Sequence, residues 1–183
     1  MVNPLPKPLT PEEYLELERH SPVKHELVGG VMYAMAGASR RHNRIVVNVL
    51  RLLADLADGK GCRVFASDMK LRLEDAFYYP DVMAVCAPEP ANEYYETDPC
   101  ILVEVVSEST KTIDLREKLW AYRSLSSLQT YLVVDTEAMT IRHFFRDPTG
   151  RWQQEDVVGS GEIPLPCLGG SIELLDVYRN VFH

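Results

Sequence analysis

The sequence predicts an α/β fold, a mixed central sheet flanked by helices, and three observations predict it. Ile45, Val49, Leu52, Leu53 and Leu56 recur at helical spacing between Ser39 and Gly59. From Arg63 to Val106 the pattern changes to short β-prone runs. The last of them, Ile101-Leu102-Val103-Glu104-Val105-Val106, is apolar on both faces except at one residue. A helical stretch then leads to a second apolar run, Thr130 to Val134. That β-α-β order is expected to be a parallel, right-handed crossover.

The elements follow in order. Residues 1–9 contain three prolines and read as an extended arm. Thr10-Pro11-Glu12-Glu13 is a helix start, with Thr10 as cap, Pro11 at the first helical position and Glu13 closing a capping box. That helix should stop near His20, ahead of Pro22. His25 to Val28 and Val31 to Met35 flank Gly29-Gly30, a tight-turn signal for a hairpin. Ser39 opens the strongest helix, and Gly59 and Gly61 end it. Arg63 to Leu73 is expected as one strand, Tyr78 to Cys86 as a second and Cys100 to Val106 as a third. Ser107 to Thr110 introduce a helix reaching about Arg123, with Leu115, Leu119 and Tyr122 facing inward. Thr140 to Phe145 and Arg151 to Val157 flank Asp147-Pro148-Thr149-Gly150 as a second hairpin. A short strand from Ile163 and a brief helix around Leu174 to Tyr178 complete the chain. No repeat or linker divides the sequence, so residues 1–183 are expected to form one domain.

The composition bounds the function. With 46% hydrophobic and 25% charged residues the chain has the balance of a water-soluble globular protein. It lacks both a bilayer-spanning run and a signal peptide's apolar core, so a cytoplasmic location is expected. Cys62, Cys86, Cys100 and Cys167 are far apart, with no C-x-x-C pair to indicate zinc or redox work. They are expected to be free thiols. The net charge of −8 disfavours strong nonspecific nucleic-acid binding. Basic character must be local, with Arg40, Arg41, Arg44, Lys111, Arg116 and Lys118 as its candidates.

Glu104 is the residue that points to chemistry. A carboxylate inside Ile101-Leu102-Val103-Glu104-Val105-Val106 costs several kcal/mol if charged and unpaired in a dry interior. An ion pair, a protonated carboxyl or a divalent cation would offset that cost. Tyr79-Pro80-Asp81-Val82 brings a second carboxylate into a strand, beside a proline that interrupts the ladder. Two such carboxylates suit Mg²⁺, which accepts one or two of them and keeps several waters; the alternative is that Asp81 only closes a turn. Lys118 lies beside the Leu115 and Leu119 stripe, where its stem can rest on the sheet and its ammonium reach the strand ends. It could equally pair with Asp114, four residues earlier. His42, near the start of its helix, could contact phosphate, orient Glu26 or pack against a backbone carbonyl. His25 and His143 read as ordinary strand or surface residues. Tyr131, Phe144, Phe145 and Trp152 read as core or interface.

In combination, Pro80-Asp81, Glu104-Val105-Val106-Ser107 and Ser107-x-x-x-x-x-x-Asp114-x-x-x-Lys118 resemble the PD-(D/E)xK nuclease superfamily. The closer resemblance is to its Uma2-like family (domain of unknown function 820). The stretches that carry it are His25 to Val31, Ser39 to Asn43, Tyr79 to Val82, Leu102 to Thr110, Asp114 to Tyr122 and Tyr131 to Asp135. The resemblance implies a restriction-endonuclease-like αβββαβ core, with the N-terminal helix and hairpin and the C-terminal hairpin as additions. It also implies a Mg²⁺ site, with Mn²⁺ as a substitute, held by Asp81, Glu104 and the Val105 carbonyl. The superfamily's lysine commonly stands two residues after the acidic residue, which here is Val106; this family's helix lysine maps to Lys118. Glu26 matches the acidic residue before the family's turn, where it would bind metal, a metal water or a basic side chain. Gly29-Gly30 replaces the frequent Asp-Gly.

The expected activity is endonucleolytic hydrolysis of DNA, with Asp81, Glu104, Lys118 and Glu26 as catalytic residues. The alternatives are a non-catalytic binding or assembly module, such as a homodimer built on the hairpins, and a hydrolase of RNA or nucleotides. No membrane partner is expected.

Overall fold

A computed structural model describes residues 7–107 and 114–182, the side chains of Asp114 and Leu115 excepted. Helix α1 (Pro11–His20) starts with the expected capping box. The Thr10 hydroxyl accepts from the Glu13 amide, and Glu13 Oε2 accepts from the Thr10 amide at 2.8 Å. Strands β1 (His25–Val28) and β2 (Val31–Ala34) form the hairpin, with φ of 58° at Gly29 and 78° at Gly30. Gly30 is needed twice over. It takes a left-handed φ, and a Cβ there would lie 2.4 Å from that of Pro8, whose neighbour Leu9 donates its amide to the Gly30 carbonyl at 2.9 Å. Helix α2 (Arg40–Ala57) is capped by Ser39 and buries Ile45, Val49 and Leu53.

The next segment departs from expectation. In place of two long strands there are four: β3 (Arg63–Ala66), β4 (Lys70–Leu73), β5 (Ala76–Tyr78) and β6 (Val82–Val85). Strand β3 pairs antiparallel with β6, and β4 pairs antiparallel with β5, but the two pairs belong to different sheets. The anticipated pair of strands is thus one ribbon bent across its middle, at 67–69 on one strand and 79–81 on the other. Two features cause the bend. Pro80 has no amide for a ladder, and the Ser67 amide donates to the Asp81 carbonyl at 3.1 Å, which binds the two corners together. Asp81 stands at that corner.

Strand β7 (Tyr95–Glu96) is followed by β8 (Ile101–Val106), α3 (Asp114–Arg123) and β9 (Thr130–Asp135), and β8 runs parallel to β9 as the crossover requires. Strands β10 (Thr140–Arg146) and β11 (Trp152–Val158) make the second hairpin. Strands β12 (Glu162–Leu165) and β13 (Gly170–Glu173), joined through a 3-10 turn at Pro166–Leu168, precede the short α4 (Leu174–Val177). The central six-stranded sheet has the order β11-β10-β9-β8-β6-β3, and a five-stranded sheet has the order β2-β1-β5-β4-β7. Reading α2, β3, β6, β8, α3 and β9 along the chain gives the αβββαβ core.

The two faces of the central sheet are covered by different helices. Val82, Ala84, Ile101, Val103 and Val105 pack with Ile45, Val49 and Leu53 of α2. Met83, Val85, Leu102 and Val106 pack with Tyr122 of α3, Tyr131 and Phe144. Trp152 is half-buried against the same cluster, beneath the guanidinium groups of Arg123 and Arg146. No helix among the described residues is long and apolar enough to cross a membrane.

The cysteines correct the expectation of free, scattered thiols: Cys62 pairs with Cys86 and Cys100 with Cys167 as disulfides. Sequence spacing hid this because the sheet register brings them together. Arg63 faces Val85, so Cys62 and Cys86 extend that pairing by one step. Ala84 faces Ile101, so Cys86 and Cys100 meet at the same end of β6 and β8. Of the helix start expected at Ser107 to Thr110, all but Ser107 lies outside the described residues.

Candidate active site

Strand alternation decides where Glu104 points. Val103 and Val105 face α2, so Leu102, Glu104 and Val106 face α3. On α3, Lys118 and Tyr122 lie one turn apart, so both reach the same carboxylate. The Tyr122 hydroxyl donates to Glu104 Oε1 at 2.8 Å, and Lys118 Nζ lies 3.3 Å from Oε1 and 3.4 Å from Oε2. The Tyr122 ring is held edge-on between Tyr78 and Tyr131, with centroids 5.4 and 5.3 Å away, which aims its hydroxyl. Glu104 is 7% exposed and Lys118 5%. Burial pushes the Glu104 carboxyl up to about 8; Lys118 opposes the rise, Asp81 and Glu26 add to it, and the Tyr122 hydrogen bond opposes it. The Tyr122 phenol is also raised, by burial and by the adjacent Glu104 charge.

Lys118 also bridges to the second sheet. Its Nζ lies 2.9 Å from Oε1 of Glu26 on β1, and that oxygen accepts the Tyr79 amide at 3.0 Å. Tyr79 is gripped at its other end too, since its hydroxyl donates to the buried Glu18 at 3.1 Å. Glu18 in turn accepts the His25 amide at 2.9 Å. These contacts hold the corner that carries Asp81.

Asp81 completes the group. Its Oδ2 accepts the Val105 amide at 2.7 Å, and its Oδ1 lies 3.1 Å from Nε2 of His42. The aspartate thereby takes over the hydrogen bond that β6 would have supplied to β8 had the ribbon not turned away. A strand residue directs its amide and carbonyl to the same side, so the Val105 carbonyl opens toward Asp81 as well.

The structure therefore brings Asp81, Glu104, Lys118, Glu26 and Val105 to one end of the central sheet. Of the roles considered for Glu26, its observed contact is with a basic side chain. His42 meets Asp81, neither a backbone carbonyl nor Glu26. Asp114, the other partner considered for Lys118, has its side chain outside the described residues. Tyr122 had been read as core alone, and its phenol is the functional signal that a hydrophobic-stripe reading passes over. Glu18 was missed altogether; its only trace in the sequence is a carboxylate on the helix face that carries Tyr14. His25 and His143 are not free surface groups, since Nδ1 of His25 lies 3.0 Å from Glu18 and Nδ1 of His143 lies 3.0 Å from Glu155.

The candidates for a basic surface are thinner than the sequence allowed. Lys118 is buried, Arg41 bonds Glu137 and the Thr136 carbonyl, and Arg44 bonds the Asn180 carbonyl. Arg40 and Arg116 are exposed, and Lys111 lies outside the described residues.

Whether these residues suit a divalent cation follows from their chemistry. Glu26 and Glu104 share one buried ammonium, the Asp81 charge acts on Glu104, and the oxygens of Asp81, Glu104 and the Val105 carbonyl are hard donors of the kind Mg²⁺ accepts. Burial is the main cause of the raised Glu104 carboxyl, and the negative charges of Asp81 and Glu26 add to it. The carboxylate oxygens are spread out and do not form a closed cage. Among the described residues, the only group of three or more His, Cys, Asp or Glu with ligand atoms mutually within 4.8 Å is Cys86, Cys100 and Cys167. That spread agrees with a cation that keeps several waters.

Residues 11–177 match the Uma2 family, described as a putative restriction endonuclease. An uncharacterized protein of Synechocystis sp., slr1290, is 34% identical over 181 residues, spanning 97% of this chain and 95% of that protein. A second from the same organism, sll1609, is 33% identical over 165 residues, spanning 87% and 93%. The crystal structure of a putative nuclease of the domain-of-unknown-function-820 family from Anabaena variabilis superposes with a TM-score of 0.79 at 14% identity, covering 96% of this chain and all of that one. The fold is thus restriction-endonuclease-like, and the chain belongs to the Uma2 family of nuclease-related proteins.

Proposed function

We propose that this protein is a Mg²⁺-dependent endonuclease that hydrolyses phosphodiester bonds of DNA. The observation that carries the reading is the meeting of Glu104 and Glu26 on the buried ammonium of Lys118, with the Asp81 charge close enough to act on Glu104. Asp81, Glu104 and the Val105 carbonyl would hold the cation, which when bound supplies neutralisation of phosphate charge and acidification of a water.

The chain's own residues do the rest. His42 and the Val105 amide fix the Asp81 carboxylate, and Tyr122 fixes Glu104, so neither must reorient as substrate arrives. Glu26 holds Lys118 beside Glu104, where its ammonium can stabilise charge gathering on the phosphate oxygens. A water oxygen bonds to phosphorus and releases a proton to solvent while the opposite ester P–O bond breaks, and the departing sugar oxygen takes up a proton from solvent.

Nicking of supercoiled plasmid tests this directly. Cleavage is expected with Mg²⁺ or Mn²⁺, and Asp81→Ala and Glu104→Ala should each slow it by at least about a hundredfold. Cleavage at the wild-type rate in both variants would remove this site from the reaction. RNA and nucleotide substrates in the same assay separate a deoxyribonuclease from a hydrolase of another phosphodiester.

One observation favours a second reading, a non-catalytic assembly module. Strand β2 is the edge of its sheet and exposes Val31 and Tyr33, a surface open to strand pairing between two copies. Calorimetry showing no divalent-cation binding by folded protein, with sedimentation showing a dimer, would move the assignment there.

A further inference from the structure

The four cysteines lie at the opposite end of β6 and β8 from the carboxylates. Asp81 precedes β6 and Val105 is near the end of β8, whereas Cys86 follows β6 and Cys100 precedes β8. Cys62 comes from the entry to β3 and Cys167 from the 3-10 turn after β12, so four separate segments meet there. The two disulfides are also in contact with each other. Sγ of Cys86 lies 3.7 Å from Sγ of Cys100, and the sulfurs of Cys86, Cys100 and Cys167 are mutually within 4.8 Å. Zinc–thiolate bonds of about 2.3 Å in a tetrahedron set neighbouring sulfurs about 3.8 Å apart. The Cys86–Cys100 spacing already has that value, and Cys62, tied to Cys86 by its disulfide, is the one sulfur outside that set of three.

We propose that, once reduced, Cys62, Cys86, Cys100 and Cys167 form a tetrahedral Zn²⁺ site that replaces the two disulfides as the cross-link of this end of the sheet. The chemistry balances with a dithiol reductant. Two dithiols each pass two electrons and two protons to one disulfide and become disulfides themselves. The four resulting thiols release their protons as zinc binds. One cation, Lys60, lies near the cluster and donates to the carbonyl of Leu168, beside Cys167, whereas Arg63 is paired with Glu96. Cys100 is buried, Cys62 and Cys167 are half-buried and Cys86 is exposed, so a reductant reaches the cluster from the Cys86 side. The site is independent of the nuclease reading.

Cobalt is the probe. The full chain is reduced anaerobically, its four free thiols are confirmed by titration, and Co²⁺ is added. One equivalent should produce near-ultraviolet sulfur-to-cobalt charge transfer and the intense visible bands of tetrahedral cobalt thiolate, and Zn²⁺ should bleach both. The Asp81→Asn, Glu104→Gln double variant should keep these bands, which separates the cysteine site from the carboxylates. Cys86→Ser and Cys167→Ser should each weaken Co²⁺ binding at least tenfold and lower the charge-transfer intensity, with circular dichroism reporting that each variant is folded. A fully reduced, folded wild type that shows no charge transfer overturns the proposal. So do bands of equal intensity and affinity in both serine variants.

Discussion

A buried carboxylate beside a buried lysine is a tense arrangement, and its tension can be measured one residue at a time. Glu104 ionises near 8 against an ordinary 4.5, with burial as the main cause. The folded, metal-free protein therefore holds that proton more tightly than the unfolded chain does. The resulting stabilisation is complete below about pH 4.5 and is lost as pH rises through about 8. Calorimetric melting of chelator-treated protein should show the loss, and Glu104→Gln should not share it. A pH-independent difference between the two proteins across that interval would defeat this account. Lys118→Met leaves the Glu26 carboxylate without its cation, and at neutral pH this should cost about 3 kcal/mol in urea unfolding. Mg²⁺ should restore part of that loss in the variant. Glu104 was conspicuous as a charge in an apolar strand, whereas Tyr122 looked like one more core aromatic until its hydroxyl was seen to donate to Glu104.

At the scale of elements, the decisive event is the bend in the β3-to-β6 ribbon. Ser67-Asp68 and Pro80-Asp81 interrupt the apolar pattern on the two strands, but such a break does not by itself mark a change of sheet. Pro80 was visible as an interruption of the ladder, but whether the chain would bulge or turn depended on the partner corner at Ser67. The hairpin of β1 and β2 is the contrasting case, where local chemistry alone predicts the geometry. Gly29 and Gly30 both have left-handed φ, yet only Gly30 also lies against Pro8. Gly29→Ala should cost about 1 kcal/mol, the usual penalty for a left-handed non-glycine. Gly30→Ala should cost more, because Pro8 must move away. Equal losses in denaturant unfolding would show that the arm does not pack on the turn in solution.

For the whole molecule the governing quantity is charge. At −8, with Arg41 and Arg44 engaged in contacts within the chain, few cations remain to neutralise phosphates. If two phosphates are neutralised, DNA affinity should fall only about tenfold between 50 and 200 mM salt, measured in Ca²⁺ to suppress cleavage. A loss of several orders of magnitude would mean that a basic surface has been overlooked. The αβββαβ order was legible because each segment announces itself by its period. The second sheet was not, since its short strands β4, β5 and β7 are assembled from halves of longer patterns and a two-residue piece.

What the sequence determined by itself was the type and order of most elements, the caps and turns, and which carboxylates and lysine stand out as candidates for the site. These depend on neighbours within a few positions, where side-chain period and backbone preference act directly. Tertiary structure alone decided that the ribbon bends, that His42 and Tyr122 serve Asp81 and Glu104, and that four distant cysteines meet. Such contacts join residues tens of positions apart. They are set by the register and packing of the sheet, which no local pattern encodes.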